Sequence, residues 1–127
     1  MVIKGAQKLC TIINSHDELL KCKQKGRSLL LFIVQYCEVS NYAVNDYLKD
    51  DEVRLFLDIH KIKPFYICSD EAEEVCTKEG IDHGPLIQAY EDGKLKGEIL
   101  GGINKFELIQ LVSNWYEMKQ YCCFMGH

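Results

Sequence analysis

Cys37 has the most chemistry to offer. It sits in Tyr36-Cys37-Glu38-Val39-Ser40, directly after the apolar run 28–35, Ser-Leu-Leu-Leu-Phe-Ile-Val-Gln, which has the length and continuity of a strand covered on both faces. The helical pattern that follows places Cys37 at the carboxyl end of a central strand and the start of a helix. Ligands and reactive groups collect at that edge of open α/β sheets. Unpaired amides and the positive end of the helix dipole stabilise thiolate over thiol there, which would make Cys37 nucleophilic. Glu38 opposes this, because an adjacent negative charge disfavours a second one. His83, just before Gly84-Pro85, has two readings: a solvated loop histidine, or an imidazolium within reach of Cys37 that favours its thiolate.

The other cysteines read differently. There are seven in all (Cys10, Cys22, Cys37, Cys68, Cys76, Cys122 and Cys123), an odd number with no close Cys-x-x-Cys pair. That pattern fits neither a secreted disulfide framework nor a structural zinc site. Cys10, Cys22, Cys68 and Cys76 lie among apolar or helical neighbours and are expected to be reduced, small hydrophobes. Cys122 and Cys123, with His127 nearby, are poorly spaced to chelate one ion together and carry no prenylation signature, so a peripheral tail with reactive thiols is expected. Glu71, Glu73 and Glu74 read as the solvated face of a helix. No metal and no cofactor is expected.

The elements that must position Cys37 follow from periodicity and punctuation. Residues 9–13 form a short β-leaning run, and Ser15 and Glu18 have capping-box spacing for a helix over about 16–24 that ends at a Gly26 turn. After the motif, Ala43, Val44, Tyr47 and Leu48 fall on one helical side. The pattern resumes after Lys49-Asp50-Asp51-Glu52 with Leu55, Phe56 and Ile59 expected inward, giving two short helices or one kinked helix. Residues 63–68 predict a strand with Pro64 at its start; Asp70 is expected to cap an acidic helix with Ala72, Val75 and Cys76 inward and Gly80 at its end. Residues 85–90 and 94–100 read as strands joined by Asp92-Gly93, a strong hairpin signal. Asn104 and Glu107 open a last helix with Leu108, Leu111, Val112 and Trp115 inward, and the chain from Tyr116 is expected to be peripheral. The order strand, helix, strand, helix, strand, helix, strand, strand, helix predicts an α/β domain with a mixed central sheet and helices on both faces.

Composition agrees with that architecture and excludes others. At 127 residues, 47% hydrophobic and 27% charged, the chain has the size and core of one globular domain, expected to span 1–127 with its core over about 9–116 and a tail over 117–127. Fifteen basic against nineteen acidic residues give a net charge of −4, which argues against nonspecific nucleic-acid binding. The amino terminus lacks a secretory pattern and no apolar stretch reaches membrane-spanning length, so a soluble, cytoplasmic protein is expected.

The motif and its surroundings resemble the thioredoxin family. Tyr36-Cys37-Glu38-Val39-Ser40 stands where typical members carry Trp-Cys-Gly-Pro-Cys. Gly84-Pro85 sits where the family keeps its cis-proline, followed by Asp92-Gly93 at the hairpin and Leu100-Gly101-Gly102-Ile103-Asn104-Lys105 before the last helix. The spacing from Pro85 to Lys105 needs no gap, and the resemblance covers about residues 9–116, with a slightly longer stretch between Tyr42 and Phe65. It implies a thioredoxin-like fold and a groove formed by Tyr36, Glu38, Val39, His83, Gly84, Pro85 and Gly101 that takes an extended partner segment. Gly84 has no side chain where relatives carry Thr or Ile, which leaves that groove wider.

Two departures change the implied chemistry. Ser40 replaces the second cysteine, so Cys37 has no resolving partner within the motif and cannot complete a dithiol cycle alone. The family's buried aspartate and its lysine partner on the next strand correspond here to Leu31 and Tyr66, which removes the proton relay. Three readings follow. One is a monothiol redox protein in which Cys37 forms mixed disulfides with protein thiols or disulfides, or exchanges with glutathione, while Ser40 donates a hydrogen bond to the Cys37 thiolate. Another is a noncatalytic module that keeps only the peptide groove. The third is a monothiol glutaredoxin, whose Cys-Gly-Phe-Ser motif shares the C-x-x-S pattern and can share an iron–sulfur cluster with glutathione; the amino-terminal strand and helix and the Gly-Ile-Asn-Lys segment disfavour it.

Overall fold

A computed structural model describes residues 11–33, 50–69, 72–101 and 104–117. The strands are β1 (Thr11–Ile12), β2 (Arg27–Ile33), β3 (Ile62–Cys68), β4 (Leu86–Glu91) and β5 (Lys94–Leu100). The helices among the described residues are α1 (His16–Gln24), α2 (Asp51–Ile59), α3 (Glu73–Lys78) and α4 (Lys105–Trp115). The strands form one five-stranded mixed sheet in the order β1-β3-β2-β4-β5. β1, β3 and β2 run parallel, and β4 and β5 run antiparallel to their neighbours.

Strand alternation sorts the core into two layers. On one face Leu29, Leu31 and Ile33 of β2 join Ile62, Tyr66 and Cys68 of β3 under α2 and α4. On the other, Leu30 and Phe32 join Ile67 under Leu19 of α1 and Ala72, Val75 and Cys76 of the α3 region. Six of the seven β2 residues are buried, as its unbroken apolar run requires of a strand packed on both faces. Each Leu, Ile or Phe so buried contributes roughly 1.5–3 kcal/mol.

Local signals set the element ends. The Ser15 hydroxyl accepts the Glu18 amide (3.2 Å) at the start of α1. At α4 the reciprocal capping box of Asn104 and Glu107 is complete. Asp92 and Gly93 both have positive φ (50° and 87°), as the tight β4–β5 hairpin demands. Gly97 of β5 has no alternative, because a Cβ there would lie 2.2 Å from the Trp115 indole. Pro64 is the third residue of β3, and Tyr66, two residues on, takes the Ile13 amide through its carbonyl (3.0 Å). By strand alternation Pro64 faces the same side, where β1 pairs only from Phe65 onward, so no ladder bond is lost.

Several sequence expectations are corrected. In α2 the buried residues are Val53, Phe56 and Leu57, whereas Leu55 and Ile59 are 61% and 63% exposed; the helix starts at Asp51 on an Asp50 cap, which rotates the apolar face. α3 begins after Ala72 with no side-chain cap, and Asp70 lies outside the described residues. Tyr116 is 4% exposed, hence core and not tail. Its ring closes the α2/α4 layer, and its hydroxyl lies 3.1 and 3.0 Å from the Ser28 and Tyr90 carbonyl oxygens.

Candidate functional site

The carboxyl end of β2 is the centre of the candidate site. Its last residue, Ile33, accepts the Ser69 amide (2.9 Å) at the end of β3. β4 enters beside it, with Leu86 opposite Phe32, so Gly84 and Pro85 stand just beyond this end of β2. β5 leaves at the same place, with Leu100 opposite Leu86. The Gly101 amide then donates to the Pro85 carbonyl (2.9 Å), with Gly101 at φ 108°, a conformation that favours glycine. The Gly84–Pro85 peptide bond is cis, with Pro85 buried. One sheet edge thus gathers the end of β2, Gly84, Pro85 and Gly101. Tyr36, Cys37, Glu38, Val39 and Ser40 lie outside the described residues; Cys37 follows Ile33 by four positions.

The polar groups near this edge are few. His83 is 77% exposed, with Nδ1 2.6 Å from Asp82 Oδ1, so its partner among the described residues is a neighbouring carboxylate. Leu31 and Tyr66 are register partners on β2 and β3, 4% and 0% exposed. Leu31 also lines a small cavity of about 10 Å³ whose other walls, including Leu29, Val53, Leu57 and Leu108, are apolar. An apolar void of this kind stays dry. Neither position offers a carboxylate or an amine.

Sequence reasoning missed two features of the edge. Leu100 and Phe106 are 59% and 63% exposed beside Gly101 and the start of α4, leaving apolar surface in water next to the site. Lys105 bridges Asp50 (3.1 Å) and Glu52 (3.2 Å), tying the start of α4 to the start of α2. Its hydrogen bonds to both carboxylates raise the Lys105 pKa. Asp50 is shifted upward by burial, but its bonds from the Val53 amide and Lys105 win and hold its carboxyl below the usual range. A cation in the first turn of a helix runs against the dipole, and that mismatch was the available signal for a specific pairing.

The described cysteines are free. Burial pushes the Cys22 thiol up to about 11, and its Sγ–H donates to the Leu19 carbonyl (3.1 Å). Burial and then the neighbouring Cys68 push Cys76 up as well. These thiols stay protonated near neutral pH and are poor nucleophiles. Cys10, Cys122 and Cys123 lie outside the described residues. Among the described residues no group of three His, Cys, Asp or Glu side chains converges as a metal site, and no helix is long and apolar enough to cross a membrane.

No family model and no curated protein matches the chain in sequence. Solved structures do match. Thioredoxin from Trypanosoma brucei brucei superposes with a TM-score of 0.72 over 92% of this chain and 99% of that one, at 14% identity. Thioredoxin from Plasmodium falciparum gives 0.67 over 82% and 97%, at 23% identity. A chain from work on thiol resolution in yeast mitochondrial 1-Cys peroxiredoxin via glutathione/thioredoxin systems gives 0.68 over 86% and 98%, at 18% identity. The chain has the thioredoxin fold. Within that fold, the edge assembled from β2, Gly84–Pro85 and Gly101 lies at the carboxyl end of the central strand, where α/β sheets expose reactive groups.

Proposed function

We propose that this chain, acting as a single thioredoxin-fold domain over residues 1–127, is a monothiol redox protein of the soluble, cytoplasmic compartment. Cys37 is its nucleophile. In this reading the Cys37 thiolate attacks one sulfur of a partner disulfide or of a glutathionylated thiol. A mixed disulfide forms, the other sulfur leaves as thiolate, and an external thiol later releases the partner. Ser40 donates a hydrogen bond to the Cys37 thiolate. Tyr36, Glu38, Val39, His83, Gly84, Pro85 and Gly101 form the groove, with the Gly84 backbone pairing to an extended partner segment in the manner of strand addition. The observation that carries the reading is the convergence of Gly84–Pro85 and Gly101 on the end of β2, whose last residue, Ile33, precedes Cys37 by four positions. The Leu31–Tyr66 pair supports weak or absent dithiol reductase activity, because it supplies neither the carboxylate nor the amine of the family's proton relay.

That same pair, with exposed Leu100 and Phe106, favours a second reading in which the groove binds peptide without thiol chemistry. Trapping separates the two. Disulfide-linked partners recovered with the wild-type chain should disappear entirely in Cys37→Ser; partners retained unchanged by that variant would establish the binding-only reading. Turnover of a protein disulfide should be near zero for the wild type and rise only partly in Ser40→Cys.

A further inference from the structure

The opposite edge of the sheet carries an unassigned concavity. It has a volume of about 390 Å³ and opens where α1 ends and β2 and β3 begin, on the α1/α3 side of the sheet. Lys21 and Lys25 enter it from α1 and its following turn, Arg27 from β2, Lys61 from the turn after α2, and Lys63 from β3. No carboxylate lines it. Phe65, two residues from Lys63 on the same strand face, supplies an apolar wall, and the Ser28 hydroxyl is turned to the Cys22 carbonyl (2.5 Å).

This is an unusual place for charge in a chain of net charge −4. Arg27 is committed to Glu91 (3.0 Å), and the rim carboxylate of Asp92 accepts the Gly26 amide (2.8 Å). Lys21, Lys25, Lys61 and Lys63 have no ion-pair partner among the described residues. Cations near the end of α1 answer the negative pole of that helix, which accounts for Lys21 and Lys25. It does not account for Lys61 and Lys63, which belong to other segments and add like-charge repulsion to the same hollow. The Cys22 thiol, held protonated by burial, contributes no compensating charge. The arrangement repels itself when empty and is relieved by a compact ligand of several negative charges.

We propose that this concavity, walled by Lys21, Lys25, Lys61, Lys63 and Phe65, binds a multiply charged phosphate compound, an inorganic or a nucleoside polyphosphate. Its volume lies within the range of small-ligand sites. The lysines act as flexible point charges on phosphate oxygens, and Phe65 offers the only aromatic face in the lining. The site lies at the opposite end of β2 from Ile33, around which Gly84, Pro85 and Gly101 gather.

Calorimetric titration of the full chain with tripolyphosphate and with ATP at 0.15 M salt, where screening leaves only short-range charge effects at about 8 Å, tests this. Tripolyphosphate should bind with one site per chain. Lys21→Glu combined with Lys63→Glu should weaken it about tenfold or more, while Lys94→Glu combined with Lys96→Glu on β5, an equal change in net charge, should not. Equal affinity for the two ligands marks recognition of the phosphate chain alone; tighter ATP binding that Phe65→Leu abolishes marks a nucleotide. Lys21, Lys63 and Lys94 are exposed and Lys96 is half-buried, and unchanged circular dichroism checks the fold of both double variants. No binding of tripolyphosphate, or equal loss in both double variants, overturns the proposal.

Discussion

The two edges of the sheet are built to opposite plans. At the amino edge of β2, polar contacts lock strands and helices together: Arg27 reaches Glu91 (3.0 Å) and the His60 carbonyl (3.3 Å) and lies 5.2 Å over the Tyr116 ring. The Tyr116 hydroxyl meets two strand carbonyls, and Ser28 turns to α1. At the carboxyl edge the neighbouring positions are Leu31, Tyr66, Gly84, Pro85 and Gly101, and the tie that holds the surrounding helices, Lys105 with Asp50 and Glu52, is made at the surface. Fold-securing polarity and site-forming backbone are thus separated along one strand.

The sharpest way to break this contrast is to put a charge where the carboxyl edge has none. Leu31→Asp buries a carboxylate beside Tyr66 in an apolar setting and should cost about 3 kcal/mol or more of unfolding free energy at pH 7. Burial raises the pKa of such a carboxyl, so the loss should shrink as the pH falls and the group takes its proton. Denaturant midpoints within about 1 kcal/mol of wild type would show that this edge accepts a relay residue after all.

A smaller effect tests the amino edge. Tyr116→Phe keeps the ring in the core and removes only the hydroxyl between the Ser28 and Tyr90 carbonyls, which should cost about 1 kcal/mol. Thermal unfolding indistinguishable from wild type would show that this latch is idle.

The smallest effect is titratable. Glu79 is shifted upward by burial, but its hydrogen bonds from Lys23 (2.6 Å) and His16 (2.9 Å) outweigh that and lower its pKa. A carboxyl with a folded pKa below its unfolded value of about 4.3 stabilises fully above that pH and loses the contribution as pH falls through the folded value. Glu79→Gln should therefore cost about 1 kcal/mol or less at pH 7, with the difference from wild type shrinking as the pH falls below about 4.3. A gap that stays constant across that range would remove the ion pairs from the account.

Much of this architecture was legible in the sequence because it rests on local signals. The β2 run, the Asp92-Gly93 hairpin, the Asn104–Glu107 box and the inward Ala72, Val75 and Cys76 are each specified within a few residues. Register between distant strands is not local. That Leu31 faces Tyr66 on the neighbouring strand is legible only through the family resemblance, and that Gly101 donates to Pro85 needs the assembled sheet. α2 misled the pattern because Leu55 and Ile59 share a helical side with Phe56, yet the turn set by the Asp50 cap sends Val53, Phe56 and Leu57 inward. Tyr116 continues the Leu108–Val112 spacing by one more step of four, but it follows the last helical residue and its hydroxyl partners are carbonyls contributed by β2 and β4, which no local pattern shows. The hollow at Lys21, Lys25, Lys61 and Lys63 was hidden for the same reason, its charges being spread over three segments of a chain that is acidic overall.

The central claim concerns the reactivity of one thiol, and the rate of alkylation at each cysteine of the folded chain as a function of pH measures it directly. A free cysteine titrates at about 8.5 and a helix start lowers that. Cys37 should be the fastest of the seven near neutral pH, ahead of the tail thiols Cys122 and Cys123 and far ahead of Cys22, whose thiol is pushed up to about 11. Alkylation of Cys37 no faster than that of Cys122 and Cys123 would contradict the account and leave this edge a groove without a nucleophile.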